Sequence, residues 1–149
     1  MGTRFKGNPR QVLALNSYIA LLRCAETVTS YTARHLAASK LTIGQFGVLE
    51  TLYHLGPLCQ RDIGRKLLKS GGNMTTVIDN LVKRGLVERH PYPDDRRYWQ
   101  IDLTTAGREL IADLFPVHLE RIAERLQVLS AEEQEQLRVL CRKLGLAEL

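Results

Sequence analysis

The sequence predicts a mainly α-helical chain carrying one small β-hairpin wing. Three observations point there. Apolar residues recur at three- to four-residue spacing over most of the 149 positions. The period drops to two in "LVER" and again in "YWQIDL". Capping residues, glycines and prolines fall at the joints between these stretches.

Asn8-Pro9 is a helix-start pair: the amide side chain caps, and proline takes a first-turn position where its missing N–H costs nothing. Val12, Leu15, Ile19, Leu22 and Val28 then mark one face, with no Gly or Pro up to about Ala38, so one long helix is expected. Thr42 and Gln45 form a capping box that opens a second helix, with Phe46, Leu49 and Leu52 facing inward and Gly56-Pro57 ending it. A short third helix fits "QRDIGRKLLK", where Ile63 and Leu67 mark the inner face. Ser70 caps a fourth helix carrying Met74, Val77, Ile78 and Leu81, and Gly85 stands where a left-handed cap is needed. Trp99, Ile101 and Leu103 then alternate with Tyr98, Gln100 and Asp102, so two short antiparallel strands flank "HPYPDDRR". Thr104 caps a fifth helix with Leu110, Ile111 and Leu114; Pro116 is expected to kink or break it before it resumes through Ile122, Leu126 and Leu129. Ser130 and Glu133 form another capping box, and Leu137, Leu140 and Leu144 carry the last helix to Gly145.

Composition agrees with one globular domain over residues 1–149: 44% of residues are hydrophobic and 25% charged. The net charge is +5, and it is unevenly spread. Residues 61–97 hold nine Lys or Arg against five acids, whereas residues 104–149 hold six against eight. A basic centre suggests an anionic partner. No stretch has signal-peptide or membrane-spanning character, which implies a cytoplasmic chain without membrane contact. Cys24, Cys59 and Cys141 are odd in number and lack C-x-x-C pairing, so neither a disulfide framework nor a thiolate zinc site is signalled; half-buried structural thiols are expected, with redox sensing at Cys24 or Cys59 as the alternative.

Enzyme chemistry finds little support. Adjacent Asp94 and Asp95 tend to diverge in a loop, whereas an acid–base pair must converge on its substrate. "GRKLLKS" lacks the glycine a phosphate loop needs before its lysine, and it follows a helix instead of a strand. His35, His54, His90 and His118 match no metal-ligand spacing and read as surface or core-edge residues, with a site assembled in three dimensions as the alternative. No cofactor is implied.

Helices at 42–55, 60–68 and 70–84 followed by the hairpin make a winged helix-turn-helix over residues 41–103, leaving helices at 8–39 and 104–149 outside it. The apolar stripes of those outer helices have few partners in so small a monomer, so self-association through them is expected. Ser70, Asn73, Thr75 and Thr76 offer short hydrogen-bonding side chains suited to base edges and phosphates, and Lys69 adds charge beside them. Arg96 and Arg97 sit at the loop-to-strand junction, where a guanidinium can enter a minor groove, and Asp95 can hold Arg97 by a charge-assisted bond. A winged-helix module that binds protein instead of DNA is the alternative; Arg96-Arg97 argue against it.

Leu41 to Leu110 resembles the MarR family of bacterial transcriptional regulators, most specifically in the run from "VIDNLVKRGLVER" through "DRR" to "LTTAG". The resemblance puts the family's wing aspartate and arginine on Asp95 and Arg97 and its recognition helix on residues 70–83. It departs at Thr76, where many relatives carry arginine. It implies a homodimer, joined through the outer helices, on a pseudo-palindromic operator. Such a dimer usually acts as a repressor and is released by a small phenolic or aromatic compound, an oxidant or, more rarely, a metal. By position alone, Arg23, Tyr53 and His54 are the expected ligand contacts.

Overall fold

The computed structural model describes residues 2–67, 71–95 and 97–147. Its helices are α1 (Pro9–Ala33), α2 (Ile43–Leu55), α3 (Gln60–Lys66), α4 (Gly71–Lys83), α5 (Thr105–Leu126) and α6 (Ala131–Gly145); its strands are β1 (Leu58–Cys59), β2 (Val87–Pro91) and β3 (Trp99–Leu103). The chain divides into two compact units, a central one of residues 33–119 and a terminal one of residues 1–32 and 120–149.

The central unit is built around α2. Its capping box forms as the sequence predicts: Gln45 N donates to Thr42 Oγ1 at 3.1 Å, and Thr42 N donates to Gln45 Oε1 at 3.0 Å. Phe46, Val48, Leu49 and Leu52 are all buried, and Ile63 from α3, Met74, Ile78 and Leu81 from α4, Ile101 from β3 and Ile111 from α5 close over them. Removing each such side chain from water contributes roughly 1.5–3 kcal/mol. That burial holds three short helices that could not persist alone.

α4 ends in a Schellman motif. Gly85 has φ 68°, its N–H donates to the Val82 carbonyl at 2.9 Å, and Leu86 N donates to the Leu81 carbonyl at 3.0 Å. The start of α5 is tied to the same turn. Thr104 Oγ1 accepts from Gly107 N at 3.0 Å and donates to the Gly85 carbonyl at 2.6 Å, while a Cβ on Gly107 would stand 1.9 Å from the Leu86 carbonyl oxygen.

The structure departs from the sequence expectations at several points. The two-stranded hairpin is part of a three-stranded antiparallel sheet of order β1-β3-β2, because Leu58 and Cys59 pair with Ile101 and Gln100. Trp99 does not join Ile101 and Leu103 in the core; it pairs with Pro91 at the outer end of the hairpin and is 50% exposed. The first helix stops being α at Ala33 and tightens to a 3-10 helix over Arg34–Ser39, closed by Lys40 at φ 53°. Pro116 does not break α5, which continues from Thr105 to Leu126. Proline removes one backbone bond, to the Ala112 carbonyl, and Leu110, Leu114, Phe115 and His118 around it are held by packing.

In the terminal unit, Asn8 Oδ1 accepts from Gln11 N at 2.9 Å at the start of α1, and Ser130 Oγ accepts from Glu133 N at 3.2 Å at the start of α6. Tyr31 Oη donates to Glu124 Oε2 at 3.0 Å. Leu22 in α1 and Leu137, Leu140 and Leu144 in α6 are exposed. Cys24 and Cys141 are exposed thiols in place of the half-buried ones expected, because the helix faces carrying them are uncovered; Cys59 is half-buried.

Candidate nucleic-acid interface

α4 is split lengthwise. Met74, Ile78 and Leu81 face the core, each at most 1% exposed, whereas Asn73, Thr75 and Thr76 face outward on the first turns. The split follows from the 3.6-residue period of the helix. Thr76 Oγ1 donates to the Gly72 carbonyl at 3.4 Å. Thr75 Oγ1 accepts from Gln60 Nε2 at 2.7 Å, so the first residue of α3 extends the polar surface of α4. Sequence reasoning missed Gln60, whose partner lies fifteen positions away. Ser70 and Lys69, before α4, and Arg96, in the wing, lie outside the described residues.

Three ion pairs and clamps hold this surface. Arg89 on β2 donates to Asp79 on α4 at 2.6 Å, joining the wing to the helix beside it. Arg84, just past α4, donates to the Ser39 and Lys40 carbonyls at 2.8 Å each, capping the 3-10 segment. Within the wing, Asp95 and Arg97 are paired as the sequence suggests. Arg97 Nε donates to Asp95 Oδ1 at 3.0 Å, Arg97 Nη2 to Oδ2 at 2.7 Å, and Arg97 N to Oδ1 at 3.0 Å. The side-chain bonds, then the backbone bond, hold the Asp95 carboxyl below its usual range, and the carboxylate raises the Arg97 guanidinium in turn. The Arg97 side chain is nonetheless 84% exposed. It is a fixed, charged fork pointing into solvent, a geometry suited to phosphate oxygens or to a narrow groove.

The three residues expected to contact a ligand fall on two elements. Tyr53 and His54 are consecutive on α2, their rings 5.2 Å apart, and His54 stands 4.5 Å from Phe115 in an edge-to-face arrangement. Arg23 is exposed on α1 in the terminal unit. Glu50, one turn before His54, was not singled out from the sequence; burial pushes its carboxyl above the usual range, and the His54 charge acts the other way. His118 is buried, its ring 4.4 Å from Phe46 and 5.1 Å from His35. Among the described residues no grouping of three or more His, Cys, Asp or Glu could hold a metal ion, and no helix is long and apolar enough to cross a membrane.

Comparison with known proteins agrees with this architecture. The model of the MarR family matches residues 41–98. The chain is 37% identical over 133 residues to the HTH-type transcriptional regulator YkoM of Bacillus subtilis (strain 168), covering 89% of this chain and 86% of that protein. Among solved structures it is similar to the S. aureus MepR–DNA complex, with a TM-score of 0.77, 27% identity, and coverage of 85% of this chain and 95% of that one. It is also similar to Bordetella bronchiseptica BpsR, whose DNA binding is regulated by 6-hydroxynicotinic acid, with a TM-score of 0.80, 26% identity, and coverage of 87% and 92%. The family is one of regulators and not of enzymes, and the fold is its winged helix. The chain belongs to the MarR family of HTH-type transcriptional regulators.

Proposed function

We propose that the chain is a homodimeric, sequence-specific DNA-binding repressor that acts in the cytoplasm and leaves its operator when a small phenolic or aromatic compound, or an oxidant, reaches it. The observation that carries this reading is the Arg97 fork, locked by Asp95 yet exposed, on the same unit as the outward-facing Asn73, Thr75 and Thr76. The helix residues, with Ser70 and Lys69, contact the major groove, where Asn73 offers a bidentate amide suited to adenine. Arg97, with Arg96, enters the minor groove beside it. The existence of a DNA complex of the similar MepR supports DNA as the partner.

Dimerisation through residues 8–39 and 104–149 is supported by the exposed Leu22, Leu137, Leu140 and Leu144, apolar area that a second copy removes from water. Two copies of α4 then enter successive major grooves on one face of a pseudo-palindrome, about 10 base pairs apart. Regulation of BpsR by 6-hydroxynicotinic acid favours a one-ring effector, and Arg23, Tyr53 and His54 are the residues proposed to meet it. Selection of duplexes from a random library by the purified protein tests the reading. It should return an inverted repeat with that spacing, whereas recovery of unrelated sequences, or none, would instead favour a protein-interaction module.

A further inference from the structure

Where the loop at the outer end of the wing meets β1 and the start of α3 lies an open pocket of about 220 Å³ lined by Cys59, Arg61, Asp62, Tyr92, Asp95 and Tyr98, with neither Tyr53 nor His54 in its wall. We propose that this pocket is a binding site for a neutral, hydroxylated single-ring compound, and that its occupant loosens the wing arginine by competing for Asp95. The pocket is a second site, distinct from the one proposed at Arg23, Tyr53 and His54, and the proposal rests on the reading of the chain as a ligand-released DNA-binding regulator.

Size sets the first limit. Pockets for drug-sized ligands run from about 300 to 1,000 Å³, and an apolar cavity of roughly 150 Å³ admits benzene, so a space between these ranges suits one ring with small substituents. The walls set the chemistry. The Arg61 guanidinium carbon stands 5.6 Å from the centre of the Tyr98 ring, and backbone bonds from Tyr92 N to the Tyr98 carbonyl at 2.9 Å and from Tyr98 N to the Asp95 carbonyl at 3.0 Å frame the two aromatic residues. Asp62 accepts from the Cys59 thiol at 3.1 Å, with Arg61 and Arg65 only loosely held at 3.9 and 3.8 Å. A carboxylate ligand would meet the Asp62 and Asp95 charges, and an ammonium ligand the charge of Arg61. A neutral hydroxyl on a ring avoids both penalties: it donates to a carboxylate, accepts from Arg61, and stacks its ring on tyrosine.

The connection to DNA runs through one side chain. Asp95 is a wall of this pocket and also the carboxylate that orients Arg97. A hydroxyl that donates to Asp95 takes acceptor capacity from Arg97, and a guanidinium with three bonds to one carboxylate loses its preferred direction when that carboxylate is shared.

Catechol is the probe and benzoate its anionic counterpart; a phenol, like that of tyrosine with its pKa of about 10, stays protonated at pH 7. Titration of ¹⁵N-labelled protein with catechol into the millimolar range should shift the amides of residues 59–62 and 92–98. Tyr98→Ala should weaken catechol about tenfold through loss of the stacking surface. Asp62→Asn should narrow the preference for catechol over benzoate, a change in selectivity that a merely structural role would not produce. The proposal is overturned if catechol shifts none of these amides, or if the shifts centre on Tyr53 and His54 and Tyr98→Ala binds as tightly as the parent. The latter result leaves the ligand-released regulator standing, whereas failure of the ligand-free protein to select DNA would sink that reading and leave the titration interpretable.

Discussion

Lys40 is the described residue other than glycine with positive φ, at 53°, and it closes the 3-10 helix leading into α2. The left-handed region costs an L-residue about 1–2 kcal/mol, part of which glycine returns as extra chain entropy in the unfolded state. Arg84 stabilises the turn from outside by donating to the Ser39 and Lys40 carbonyls. Lys40→Gly should therefore stabilise the fold by about 0.5–1 kcal/mol in urea titration. Glu50 is a second strained position, since burial raises its carboxyl pKa above 4.5. The folded chain then binds the proton more tightly than the unfolded chain, so stability is highest below the unfolded pKa and falls as pH rises through the folded one. Glu50→Gln should raise the melting temperature at pH 7, and the gain should vanish below pH 4.5, where the glutamate is protonated in either state.

At the scale of elements, α5 depends on one close approach. Gly107 lies against the Leu86 backbone, and a methyl group there would reach 1.9 Å from the carbonyl oxygen. Gly107→Ala should cost about 3 kcal/mol or more, because two backbones must separate and the Thr104 bonds to Gly85 and Gly107 stretch with them. A urea midpoint close to that of the parent would show that α5 shifts freely. The same element explains what was legible beforehand. Helix starts at Asn8, Thr42, Thr104 and Ser130 were readable because each cap acts on a residue three positions on. The Gly85 stop and the Asp95–Arg97 pair were readable for the same local reason. β1 was not: two residues carry no period, and their partners at 100–101 lie over forty positions away. Gln60 with Thr75, Arg89 with Asp79 and Arg84 with Ser39 were hidden likewise, since each meets its partner through the fold alone. The break at Pro116 did not follow, because packing of the residues around it offsets the one backbone bond that proline removes.

Over the whole molecule, two surfaces differ in kind: apolar side chains exposed on the terminal helices, and a basic centre that holds nine of the chain's 21 Lys and Arg. If the first is a dimer interface, thermal stability must rise with protein concentration, because association stabilises only folded chains. Leu140→Glu should abolish that dependence and halve the mass in sedimentation; an unchanged mass would place the interface elsewhere. The second surface is tested most directly by the salt dependence of binding to a selected duplex, measured for the parent and for Arg97→Ala. The parent affinity should fall steeply with salt as Lys and Arg displace counterions, and Arg97→Ala should bind more weakly across many sequences with the slope reduced by about one contact per subunit. Equal affinity and equal slope for the two proteins would contradict a DNA-anchoring wing.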